Sequence, residues 1–181
     1  MFLSFEKFQI MQKYMNEELE KLKEEFVINF GWAYKAFGLS KLMGHIVALL
    51  IYSPRPLSLD EITVALKRSK GPVSQVTRRL RDKNLIRRVW QPTSRKDYYE
   101  IEPEVFENAF RNNLELVRNN LRIAKTFKQR VAEISNDDVN ALDNRLSEMQ
   151  RFYELMDKKY KEFLDEWEVE KDKIEKIKIN G

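Results

Sequence analysis

"SLDEITVALKRSKGPVSQVTRRLRDKNLIRRVW", residues 58–90, decides how this chain is read. It opens on SLDE (58–61), a capping box: Ser58 accepts from an amide of the first helical turn while Glu61 reaches back to the residue before the helix. Leu59, Ile62, Ala65 and Leu66 then give a short helix that stops near KRSK (67–70). Ser69 stands where it caps a second helix, whose first turn holds Gly71 and Pro72. Proline is tolerated there because first-turn amides have no intrahelical acceptor to lose. Val73, Val76, Thr77 and Leu80 make a buried stripe, which leaves Lys70, Ser74, Gln75, Arg78 and Arg81 on exposed faces. Asn84 then falls where a left-handed residue ends a helix.

Two short strands are predicted next, LIRRVW (85–90) and DYYEI (97–101), joined by the polar, turn-like QPTSRK (91–96). Helix, helix and hairpin in this order spell a winged helix-turn-helix. The second helix, over about 70–83, is the recognition helix, and the hairpin over about 86–101 is the wing.

Charge is concentrated in the same stretch. Residues 67–96 hold eleven Lys and Arg against Asp82 alone, a net +10, whereas the whole chain carries +4. The rest is therefore at −6. One steep basic surface on a mildly acidic body is the electrostatic footprint of a polyanion partner, and double-stranded DNA is the partner expected. The second helix of a helix-turn-helix enters the major groove. Gln75 there matches adenine and Arg78 matches guanine or a phosphate. Lys70 and Ser74 serve the helix start, and Arg79, Arg81 and Lys83 hold the backbone. Arg95 and Lys96, at the wing tip, reach the minor groove, whose negative potential favours arginine.

The flanks read as long helices. Upstream, Phe8, Met11, Met15, Leu19, Leu22 and Phe26 recur at three and four. A second helix after Gly38 runs through Leu42, Ile46 and Leu49 to SPRP (53–56), whose prolines force an extended link. Downstream, Phe106, Phe110, Leu114, Val117, Leu121, Ala124 and Val131 mark another helix, and SNDD (135–138) breaks it and caps the next. The last helix keeps a heptad seam through Leu142, Leu146, Met149, Tyr153, Met156, Tyr160, Phe163, Trp167, Ile174 and Ile177. Such a seam needs a partner chain or an antiparallel hairpin with residues 103–134. The predicted class is mainly α with a small β-hairpin. Residues 1–37 are expected to form an N-terminal dimerisation element, 38–102 the winged helix-turn-helix, and 103–181 a long-helix coiled-coil region for a homodimer.

These residues resemble a known family. The opening stretch, followed by SRKDYYEIEPE, is similar to the MarR-type winged-helix transcription regulators, in particular their GbsR-like branch. GLSKLMGHIVALLIYSPRPLSLDEI adds to the match, which covers residues 38–104. The resemblance implies a homodimeric DNA-binding regulator, with recognition through residues such as Ser74, Gln75 and Arg78 and a wing carrying Arg95. Some members of that branch respond to small quaternary ammonium compounds, a property that none of the matched residues carries over. A small-molecule effector of unnamed class would act by changing the spacing of two recognition helices. Trp32, Tyr34, Phe37, Phe152, Tyr153, Tyr160 and Trp167 are aromatic enough to cage a cation, but at heptad spacing such residues read first as core.

An enzyme is not expected. With one histidine, no cysteine and no Gly-rich phosphate loop, most nucleophilic, metal and nucleotide chemistries lack their residues. No cofactor is expected either. His45 lies among apolar residues and reads as packing, and the Asp137–Asp138 pair reads as capping. The longest apolar run, IVALLIY (46–52), is short of the roughly 20 residues of a membrane span. Together with the absence of cysteine, this places the chain in the cytoplasm by expectation. Two rival readings use the same basic face: a nonspecific or architectural nucleic-acid binder, and a winged helix that scaffolds an acidic protein.

Overall fold

The computed structural model describes residues 5–92, 94–134 and 139–180. The chain forms two compact units, one through Phe106 and one from Glu107 onward.

The first unit is organised around α2 (Lys41–Tyr52). Its Ile46, Val47, Ala48, Leu49 and Leu50 are all buried. A helix apolar on every side must be covered on every side, and α2 packs against α1 (Phe5–Ala36), α3 (Leu59–Leu66), α4 (Lys70–Asp82) and β3 (Tyr98–Ile101). The crossing of α1 and α2 is close because glycine stands on both sides of it. A Cβ on Gly31 would overlap the His45 ring, and one on Gly44 would overlap the Phe30 carbonyl. His45 packs there as its apolar neighbours predict.

The capping box forms as read. The Glu61 amide donates to Ser58 Oγ at 3.2 Å and the Ser58 amide donates to the Glu61 carboxylate at 2.7 Å. Ser69, by contrast, occupies the N-cap position of α4 with extended backbone but its side chain makes no capping bond. The stripe of Val73, Val76, Thr77 and Leu80 is buried, and the Thr77 hydroxyl donates to the Ser74 carbonyl at 2.9 Å. Asn84 is left-handed at φ 54, and the Leu85 amide closes the helix end on the Leu80 carbonyl at 2.9 Å. Lys67 is left-handed as well, at φ 51, where the turn between α3 and α4 reverses.

The predicted hairpin is present as β2 (Ile86–Val89) and β3, with Val89 opposite Tyr98 and Ile86 opposite Ile101. A third strand joins it. β1 (Leu57–Ser58) pairs antiparallel with the other edge of β3, giving the order β1-β3-β2.

The second unit is an antiparallel hairpin of α5 (Val105–Ala132, from its third residue) and α6 (Asn140–Asn180). Phe110 stacks on Tyr160 at 4.4 Å and meets Phe163 at 4.5 Å. Ion pairs Glu107–Lys171, Arg118–Asp157 and Lys125–Glu154 run in opposite senses along the two helices. The last helix therefore packs within its own chain. Its seam is only half covered: Leu146 is buried, while Leu142, Phe163, Ile174 and Ile177 are exposed. Leu164, outside the predicted seam, is buried instead. The break at SNDD (135–138), with Asp137 and Asp138, lies outside the described residues, as do the side chains of Phe8 and Met11. No described helix is long and apolar enough to cross a membrane.

Candidate nucleic-acid interface

α4 has one buried face, and its solvent side carries the predicted residues in three strips. At 100° per residue, Lys70, Ser74 and Arg81 lie along one flank, Gln75 and Arg78 along the crest, and Pro72 and Arg79 along the other flank. All of these are exposed except Ser74, which is half-buried.

Their partners separate them further. Arg78 and Arg79 make no ion pair among the described residues, nor does Arg95 in the wing loop. Arg81 is paired, at 3.5 Å, with its neighbour Asp82. Lys83 is exposed at the C-cap of α4, where its amide donates to the Arg79 carbonyl. Lys70 and Lys96 converge on one carboxylate that sequence reading passed over. Asp60, in the first turn of α3, accepts from Lys70 Nζ at 2.8 Å and from Lys96 Nζ at 2.9 Å. Hydrogen bonds from those two ammonium groups, then their charges, pull the Asp60 carboxyl down to about 2. The start of α4 and the loop that joins the two wing strands are thus pinned to the start of α3.

The wing balances its own charge in the same way. Arg87 pairs with Glu100 at 2.6 Å, directly across the strands, and Arg88 pairs with Asp97 at 2.6 Å. Much of the +10 is therefore held by carboxylates, several of them outside residues 67–96. What remains available on α4 and the wing loop is a smaller set: Gln75, Arg78, Arg79 and Arg95. Thr93, in the middle of that loop, lies outside the described residues. Elsewhere, Trp32 is already covered by the chain's own Lys41, at 2.9 Å from the ring centroid, and Tyr160 is stacked on Phe110. Among the described residues no group of three His, Cys, Asp or Glu is placed to hold a metal ion.

Comparison with known proteins matches this geometry. A solved structure of a transcriptional regulator superposes with a TM-score of 0.69 at 22% identity, over 81% of this chain and 98% of that one. The HTH-type transcriptional repressor OpcR of Bacillus subtilis is 24% identical over 81% of this chain and 86% of its own length. The chain is a winged-helix relative of transcriptional regulators. A second HTH-type protein of Bacillus subtilis, YvaV, is 28% identical over 49% of this chain and 50% of its own length. No protein-family model matches the chain. In this winged helix α3 and α4 are the helix-turn-helix, residues 86–101 are the wing, and β1 is the short strand that closes its sheet.

Proposed function

We propose that this protein is a sequence-specific, double-stranded DNA-binding transcriptional regulator of the MarR type that works as a homodimer. The observation that carries the reading is the crest of α4, where Gln75 and Arg78 stand exposed with no side-chain partner among the described residues. A helix in the major groove reads bases with such residues. Gln75 serves adenine and Arg78 guanine. Arg79, Lys83 and Arg81 hold backbone phosphates, Ser74 supports the helix start, and Arg95 approaches the minor groove from the wing. Lys70 and Lys96 act mainly as the pins that fix helix and wing, since both are engaged with Asp60.

The dimer is supported by the open half of the α6 seam and by the apolar residues that α1 leaves exposed, among them Leu19, Leu22 and Trp32. Two-fold symmetry would put the two α4 helices one DNA turn, roughly 34 Å, or a multiple apart. An effector would act by changing that distance.

Selection from a random duplex library, with binding followed against salt, tests the reading. The expected product is an inverted repeat with half-sites about ten base pairs apart or a multiple. Steep salt dependence with no enriched sequence would mean an architectural binder instead. No binding at low salt would assign the basic face to an acidic protein.

A further inference from the structure

On the Pro72 flank of α4 lies an open cleft of about 420 Å³ between the start of α2 and the α3–α4 turn. Lys41, Leu42 and His45 of α2, Lys67 and Arg68 of the turn, and Ser69 and Pro72 line it, and no carboxylate does among the described residues. Lys67 and Arg68 are exposed and have no ion-pair partner among the described residues. Lys41 is held over Trp32, which positions it without neutralising it. The His45 imidazole is held below its ordinary value by burial and then by Arg68 and Lys41, as befits a group in a positive field.

The backbone adds an independent sign. Lys67 is left-handed, a conformation that glycine adopts at lower cost than any residue with a Cβ. Lysine at this position carries its charge at a cost to the backbone that glycine would not meet.

A helix lying in the major groove has one flank toward each wall, and each wall is a phosphate backbone. Lys70 and the wing share Asp60, so the wing stands on the Lys70 flank. The cleft and Arg79 are on the other. We propose that the cleft seats one phosphate of the DNA backbone, gripped by Lys67 and Arg68 with Lys41 behind them, and so anchors the wall of the groove that the wing does not reach. A shallow opening whose charged lining is cationic suits a phosphate fixed in a polymer, which needs charge and no enclosure. The proposal rests on the DNA-binding reading above.

The test uses the full chain with Lys67→Gly and Arg68→Ala together, on the selected duplex and on a scrambled one. Affinity for both is expected to fall by the same factor, on the order of ten at about 0.1 M salt, with the slope of log K against log salt shallower by about one. Replacing the seated phosphate by a neutral methylphosphonate costs the unaltered chain the same factor and the variant nothing. Because glycine accepts the turn geometry, the melting temperature is expected to hold, which separates lost charge from lost structure. An unchanged slope in the variant, with the unaltered chain still selecting its sequence, overturns the cleft and leaves the regulator intact. Failure of the unaltered chain to bind any duplex removes both.

Discussion

Lys96 Nζ donates to Asp60 at 2.9 Å, joining the wing loop to the first turn of α3, and Lys70 reaches the same carboxylate from α4. Asp60→Asn is expected to release both lysines onto the exposed surface of α4 and the wing loop and to remove the negative charge that they share. Nonspecific affinity should rise and grow steeper in salt, while the preference for the selected sequence narrows. Binding isotherms on selected and scrambled duplexes at several salt concentrations measure this, and an unchanged ratio would mean the pin does not orient the reading surface.

Arg78 and Arg79 are adjacent, exposed and without an ion pair among the described residues, yet they occupy different strips of α4. Arg78→Ala should cost about 1–3 kcal/mol at one base pair of the site and relax selectivity there. Arg79→Ala should weaken all duplexes alike. Equal behaviour of the two variants on a panel of single-substitution sites would remove Arg78 from readout.

The α1–α2 crossing gives a stability prediction with a built-in control. Gly44→Ala drives a methyl into the Phe30 carbonyl and is expected to cost about 1–3 kcal/mol. Gly71→Ala, in the first turn of α4, meets nothing within 4 Å and should leave stability level or slightly raised. Urea unfolding of both variants decides it.

Acid should loosen the start of α3. Hydrogen bonds from the Ser58 hydroxyl and amide, then from Arg55, lower the Glu61 carboxyl from 4.5 to about 2. A carboxylate depressed by folding stabilises at pH values above its unfolded value, and that contribution is lost as the pH falls from about 4.5 to 2. Ser58→Ala removes the cap at neutral pH and should cost about 0.5–2 kcal/mol. The variant should then lose less than the unaltered chain between pH 5 and 2, on the scale of that shift. Parallel titrations of stability would expose the opposite.

Leu164 is 7% exposed and Leu142 is 49% exposed on the same helix. Leu164→Ala should therefore destabilise the α5–α6 hairpin by about 2–5 kcal/mol. Leu142→Ala should spare the hairpin and weaken self-association, as read by sedimentation at several protein concentrations. Loss of hairpin stability in Leu142→Ala with no change in association would place that residue in the core of its own unit.

Local features were legible in the sequence because each is written within a few residues. The capping box at Ser58 and Glu61, the stripe from Val73 to Leu80 and the turn at Asn84 all follow from spacing and conformational preference. β1 was not, because two residues carry no periodicity and its partner lies some forty residues away. Nor was the role of Asp60, since an acidic residue in a first helical turn already has a local explanation. The α6 seam showed that a partner was needed but not which residues it would cover: α5 covers only part of that face and claims Leu164 beside it. The net +10 of residues 67–96 says nothing of carboxylates brought in by the fold: Lys70 and Lys96 are engaged with Asp60, and Arg87 and Arg88 are balanced by Glu100 and Asp97 across the wing.

Ser58 is at once the last residue of β1, paired with Tyr98 of the wing, and the cap of α3. One residue therefore gears a sheet to a helix, with Asp60 two positions on as a second tooth. Helix, helix and wing are thereby joined as a single stylus. An effector acting on such a part would have displacement as its means of expression: it would lift the stylus or set it down.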